Sequence, residues 1–173
     1  MASALHFSKR LLTRPPSATP TGFALRQFAG LQDIALWLEL RNRAFARAKP
    51  GILSWDATDF ARELTERPWW SPDRLWFALA HEPGADQPLP VGTVALAERA
   101  AGPEAVAAVH WLAVLPMWRR RGVARLLMAA LEERAWDLGY RTIALETHAG
   151  WTAAKQLYES LGYLQDPGET FMR

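Results

Sequence analysis

Apolar positions repeat most regularly in the second half of the chain. Val123, Leu126, Leu127, Ala130, Leu131 and Leu138 recur at three- and four-residue spacing, which predicts a long amphipathic helix with Gly139 at its C-terminal cap. Ala154, Leu157, Tyr158 and Leu161 predict a shorter helix that stops at Gly162. Residues 106–114 and 142–147 read as strands, the second nearly all apolar and so expected in mid-sheet. Strands alternating with helices imply a parallel pair joined by a right-handed crossover. In the first half, residues 23–28 alternate as a strand should. Asp33 is then expected to cap a helix that turns Ile34, Trp37, Leu38 and Phe45 to one side and stops at Pro50-Gly51. Asp56, with Asp59 three residues on, opens a second helix facing Phe60 and Leu64 inward. Residues 75–80 and 91–97 flank a Pro- and Gly-rich loop and predict a hairpin. The predicted order is β-α-α-β-β-β-α-β-α, followed by about ten residues with room for one strand or a tight hairpin around Asp166-Pro167-Gly168.

The first 22 residues carry Lys9, Arg10 and Arg14, no acid, and a Thr/Ser/Pro stretch from 13 to 21 that cannot hold a regular helix. They are expected to form an extension, residues 1–22, ahead of a single domain, residues 23–173. A basic, acid-free, Ser-containing stretch is also the composition of a mitochondrial transit segment, whereas the apolar run of a secretory signal is missing.

Composition narrows the chemistry. A chain of 173 residues, half hydrophobic and 22% charged, is long enough for one domain with a real core. It contains no cysteine, which excludes disulfides, thiolate metal sites, iron–sulfur clusters and cysteine nucleophiles. Its four histidines, at 6, 81, 110 and 148, are well separated, so no metal centre is expected. No apolar stretch approaches the roughly 20 residues of a membrane span, so a soluble, cytoplasmic protein without a membrane partner is expected. Net charge is +2, too little to point to a nucleic-acid partner. The basic residues are seventeen arginines against three lysines, and their placement matters more than their sum.

Four of those arginines fall within seven residues. The junction between the 106–114 strand and the long helix reads Leu112-Ala-Val-Leu-Pro-Met-Trp-Arg-Arg-Arg-Gly-Val-Ala-Arg125. A glycine at the helix start lets the backbone approach a ligand closely, and first-turn N–H groups have no intrahelical partner. Those donors, the positive dipole end and Arg119, Arg120, Arg121 and Arg125 together make an anion site. No Gly-Lys-Ser/Thr follows and no further glycines complete a dinucleotide fingerprint. On the residues alone, a solvated basic turn or a nucleic-acid contact competes with a ligand site.

Arg119-x-x-Gly122-x-Ala124, after a strand ending Leu-Ala-Val-x-Pro and before an amphipathic helix, resembles the pyrophosphate loop of the GCN5-related N-acetyltransferases (GNATs). The segment from Leu145 to Tyr163, with Leu157-Tyr158-Glu159 and Gly162-Tyr163, is similar to that family's strand, crossover and following helix. Arg41-Asn-Arg-Ala-Phe45, Trp55, Phe60 and Pro68-Trp-Trp-x-Pro-Asp73 more weakly resemble the acceptor-side segment of mycothiol-synthase-like members. The resemblance implies an α/β (α+β) GNAT fold: a central mixed, mostly antiparallel sheet with a splayed parallel pair, flanked by helices. It implies acetyl-CoA as co-substrate, no metal, and transfer to a primary amine, a small molecule foremost, by direct attack in a ternary complex. A peptide or protein N-terminus as acceptor, or a non-catalytic acyl-CoA-binding domain, are the alternatives.

The resemblance also assigns residues. The backbone of Leu112, Ala113 and Val114 would pair with the pantetheine arm, and the N–H groups of Arg119, Arg120, Arg121, Gly122, Val123, Ala124 and Arg125 would hold the pyrophosphate. Tyr158 would protonate the departing thiolate, although Leu157 and Leu161 beside it equally suit a core aromatic. Glu146, an acid in an apolar strand, and His110, on the preceding strand and expected to share a face with Leu112 and Val114, would take the amine's proton. His148, close behind Glu146, could pair with it. Trp151 stands where most members have an asparagine that touches the cofactor arm. The short tail leaves the acceptor site open or completed by a partner chain, a homodimer being the simplest case. Of the tryptophans, Trp37 and Trp136 read as core, while Trp69, Trp70, Trp76 and Trp111 are expected near the acceptor.

Overall fold

The computed structural model of the chain describes residues 4–19, 22–101 and 104–167. Its strands are β1 (Ala4–Arg10), β2 (Phe23–Gln27), β3 (Leu75–Ala80), β4 (Leu89–Ala101), β5 (Glu104–Val114), β6 (Thr142–His148) and β7 (Leu164–Gln165). The helices are α1 (Gln32–Phe45), α2 (Ala57–Phe60), which continues as a wider turn through Thr65, α3 (Val123–Asp137) and α4 (Thr152–Ser160). From β2 onward the elements follow the predicted order. The strands form one sheet, β2-β3-β4-β5-β6-β1-β7, antiparallel throughout except for β5 beside β6. No helix among the described residues is long and apolar enough to cross a membrane.

Both faces of the sheet are covered. On one, Val123, Leu127, Met128, Leu131 and Ala135 of α3 and Tyr158 of α4 pack with Ala78, Val94, Leu96, Ala107, Ile143 and Leu145. On the other, Trp37, Leu40 and Ala44 of α1 and Phe60 and Leu64 pack with Leu75, Phe77, Ala95 and Ala113. The predicted capping box at α2 is present: the Asp56 carboxylate accepts from the Thr58 and Asp59 N–H groups, and Asp59 accepts from the Asp56 N–H. Asp33 is not the cap of α1. It is buried as the second residue of the helix, accepting from Arg26 at 2.7 and 3.0 Å and from the Ala29 N–H at 2.7 Å.

The first residues do not stand apart. Residues 4–10 form β1, inserted between β6 and β7 with Phe7 fully buried, and Leu11 and Pro15 are buried behind it. Their basic character has partners on α3: Lys9 donates to Glu132 at 2.8 and 3.0 Å, and Arg14 pairs with Glu133 and Asp137. An acid-free segment read by itself looks solvated, but here its counter-charges lie far along the chain. β1 also occupies a sheet position that the short tail cannot fill, since β7 is only two residues long. Gly168 of the expected terminal turn lies outside the described residues.

Candidate active site

β5 and β6 pair only at Ala107–Ile143 and Ala108–Ala144; beyond these residues the two strands part. The cause is visible in β5. Its register against β4 shifts between Thr93 and Ala95, and Trp111 opposite that shift has a left-handed φ of 50°. Leu115 N–H bonds to the Val91 carbonyl at 2.9 Å, so strand alternation directs the polar backbone of Leu112 and Val114 away from β4, toward the gap, and that of Ala113 toward β4.

The gap opens into a cleft of about 940 Å³. Leu112, Ala113 and Val114 form one wall and Trp151, Ala154, Leu157 and Tyr158 of the α4 segment the other. The start of α3 closes one end. Gly122 caps that helix with φ 86°, and Arg120 before it is also left-handed at φ 60°. The Leu126 N–H is the first in α3 to find a partner, the Gly122 carbonyl at 3.0 Å, while the N–H groups of Arg120 through Arg125 have none. Six orphan donors in sequence at a positive helix end form a cradle for an anion. No atom lies within 4 Å of the place where a Gly122 Cβ would be.

The arginines divide by role. Arg119 is turned inward, donating through Nε to the Val114 carbonyl at 3.1 Å and through Nη2 to the Ala44 carbonyl at 2.8 Å. It ties the end of β5 to the end of α1 and is not free to hold a ligand's phosphate through its side chain. Arg121 lies over the Trp118 ring at 4.8 Å, and Arg125 donates to the Ser160 hydroxyl at 2.7 Å. Arg120 and Arg125 line the cleft, whereas Arg121 does not.

Tyr158 is buried at the foot of the cleft, next to Phe7 and Tyr163. Burial pushes its phenol well above the ordinary tyrosine value, because the phenolate would be desolvated there. It therefore stays protonated.

The two expected bases do not line the cleft. Glu146 points to the far face of β6, where its side chain is half exposed and 3.8 Å from His6. Alternation along β6 buries Ile143, Leu145 and Thr147, which leaves Glu146 outside. His110 does not share a face with Leu112. The bulge at Trp111 breaks the alternation, so the imidazole packs against Trp55 and Trp111 at ring distances of 6.4 and 6.0 Å. Burial lowers its pKa to about 4, and its Nε2 has no partner. His148 does not meet Glu146 either; its Nδ1 accepts from the Gly150 N–H at 2.9 Å.

Of the four expected acceptor tryptophans, one separates from the rest. Trp76 is buried on the α3 face, whereas Trp69, Trp70 and Trp111 stay together on the α1 face, Trp70 against Phe28 and Phe60. The tryptophans that line the cleft are Trp118 and Trp151. Two cations on this rim escaped the sequence reading, Arg47 and Lys49 beyond α1. Their signal was present as a pair of bases just past the last apolar residue of α1, with no acid near them in sequence.

A family model described as the acetyltransferase (GNAT) family matches residues 35–163, which include the splayed strand, the α3 cradle and Tyr158. The chain belongs to the GNAT family. It is 36% identical over 165 residues to a mycothiol acetyltransferase of Thermobispora bispora, a match covering 94% of this chain and 54% of that one. It is 30% identical over 156 residues to the mycothiol acetyltransferase of Renibacterium salmoninarum, covering 90% and 45%. The chain thus spans about half the length of the curated relatives it matches. Among solved structures it is similar to a GCN5-related N-acetyltransferase from Sphaerobacter thermophilus, with a TM-score of 0.74, 22% identity, and 95% of this chain matched to 49% of the other. It is also similar to the aminoglycoside acetyltransferase AAC(6')-Iy bound to a CoA-based bisubstrate analogue, with a TM-score of 0.62, 22% identity, and 88% and 98% covered. At these identities the solved structures establish the fold, which is the expected GNAT arrangement.

Proposed function

We propose that the chain binds acetyl-CoA in this cleft and transfers its acetyl group to the primary amine of a small molecule. The observation that carries the reading is the run of unpartnered N–H groups from Arg120 to Arg125, opening into a cleft with Tyr158 at its foot. A diphosphate suits that cradle: it needs several convergent donors and positive charge, and Gly122 supplies the left-handed turn, φ 86°, that heads it. Leu112 and Val114 offer the edge of β5 to the cofactor's amide-bearing arm, Val114 through its N–H because Arg119 holds its carbonyl. The thioester supplies an activated acetyl group and a sulfur that must leave with a proton. Tyr158 supplies that proton through its hydroxyl as the carbon–sulfur bond breaks and recovers one from the attacking nitrogen, which sheds it as the amide forms.

In this reading the amine enters neutral. The cleft-lining side chains include Arg47, Lys49, Arg119, Arg120 and Arg125 but no aspartate, glutamate or histidine, so a protonated amine is disfavoured there and no lining base is available to deprotonate it. The relatives named as mycothiol acetyltransferases support a small-molecule acceptor.

Free-thiol release from acetyl-CoA tests the reading against an amino-sugar conjugate, an aminoglycoside, a peptide N-terminus and a lysine side chain. The protein has no cysteine of its own to blur the readout. The small neutral amines should turn over, with kcat/KM rising with pH up to the acceptor's own amine pKa. Acetyl-CoA at about 100 times its Kd should stabilise the fold by roughly 2.7 kcal/mol. No thermal shift and no thiol release with any acceptor would sink it.

A further inference from the structure

Arg41, in the middle of α1, is wholly buried, yet no carboxylate lies within ion-pair distance among the described residues. Its Nη1 donates to the Asn42 side chain at 3.0 Å and to the Leu53 carbonyl at 3.1 Å, while Nε and Nη2 are buried without partners. What surrounds the charge instead is aromatic: the guanidinium carbon is 4.2 Å from the Trp55 ring centre and 4.1 Å from that of Trp111. A buried cation whose carboxylate, Asp59, acts only from beyond ion-pair distance opposes folding, and a left-handed tryptophan opposes it too. Two unfavourable features in contact, at the strand that parts, are a departure that points to function rather than to stability.

The contacts continue to the cleft. Trp111 meets Phe45 edge-on at 5.6 Å, and Phe45 stacks on Trp151 at 5.7 Å and 19°. Phe45 and Trp151 line the cleft. Asn42 completes the frame, accepting from the Trp55 N–H at 3.0 Å and donating to its carbonyl at 2.9 Å, which fixes the loop that carries Trp55.

We propose that Arg41 is a positioning residue for acetyl transfer: its guanidinium holds Trp111 in the left-handed bulge that separates β5 from β6 and, through Phe45, sets the Trp151 wall of the cofactor slot. The proposal rests on the reading that this cleft takes acetyl-CoA. A neutral side chain of similar length in place of Arg41 removes the buried charge but also the attraction that keeps the ring in place. R41M is therefore expected to melt no lower than the parent while binding acetyl-CoA roughly tenfold more weakly, with KM for acetyl-CoA rising in step. Trp111→Gly keeps a backbone that tolerates φ 50° but lacks the ring, and it should lose affinity by a similar factor. The double variant should bind no worse than the weaker single one, because both act through one contact.

Calorimetric titration of acetyl-CoA with thermal melts of the same samples decides the matter. A parent protein that does not bind acetyl-CoA overturns the functional reading and takes this proposal with it. A parent that binds, with R41M equal to it in affinity, overturns the positioning role alone, whatever the melt shows. So does a lower melting temperature in R41M, which would make Arg41 a stabilising residue. An R41M that does not fold counts as that same outcome; Trp111→Gly reads the link from the other end, and unchanged affinity there is equally fatal.

Discussion

Tyr158 and His110 are both buried ionisable groups held in their uncharged forms, and the difference in where they point separates their roles. Tyr158 faces the cleft with a proton to give, and burial keeps that proton in place above the pH at which a free phenol would lose it. Tyr158→Phe keeps the ring contacts with Phe7 and Tyr163 and removes only the hydroxyl. It should lower kcat by roughly 10²–10³ with little change in acetyl-CoA affinity, and steady-state kinetics beside a direct titration separate the two. Equal turnover would remove the hydroxyl from the reaction. His110 faces the aromatic cluster behind the strand, and its effect is on stability. With a folded pKa of about 4, below the ordinary value of about 6.5, the unfolded chain takes up the proton first as pH falls. Stability is complete above pH 6.5 and declines through the window down to 4, by about 2 kcal/mol at pH 5. His110→Phe should flatten that acid decline in a series of denaturant melts. A parent and variant with parallel pH profiles would refute it. Residue types at these positions were legible in the sequence, but their directions were not. Alternation placed His110 beside Leu112, and one extra residue at the Trp111 bulge reversed it.

At the level of elements, the helix start that forms the anion cradle is set by its approach to the sheet. Gly92 in β4 makes this possible: a Cβ there would come within 2.8 Å of Val123 Cγ1 and 3.0 Å of Leu127 Cδ1. Gly92→Ala should push the first turn of α3 outward, costing about 1–3 kcal/mol and weakening acetyl-CoA binding together. Denaturant melts paired with calorimetry check this, and a variant with parental stability and affinity would show that α3 has room to spare. Periodicity made α3, α4, β5 and β6 legible because each has one buried face or two. The parting of β5 from β6 has no periodic signature; it was legible only through resemblance, since a bulge depends on what lies opposite.

The whole molecule differs from its sequence reading at the front. β1 alternates Leu5 and Phe7 with polar residues, but Lys9 in the next inward place disguises the pattern. Its ammonium reaches Glu132 on α3 and lies 5.5 Å from the Tyr163 ring centre, contacts no local reading can supply. Lys9→Met would leave the nearly buried Glu132 carboxylate unpaired, at a cost of about 2–3 kcal/mol given that Lys9 is partly exposed. Lys9→Met with Glu132→Met should recover most of that loss in urea melts. A double variant no more stable than the single one would mean that the pair is not what secures the strand.

The position of β1 also bears on the order of assembly. Of the seven strands it comes first in sequence, and both of its neighbours in the sheet, β6 and β7, come last. Phe7 and Leu5 lack their strand partners until β6 and β7 have been made, while β3, β4 and β5 close through successive hairpins. The slow step of folding is then the pairing of β1 with strands more than a hundred residues away in sequence, and until that pairing the edge of β6 stands open to other chains.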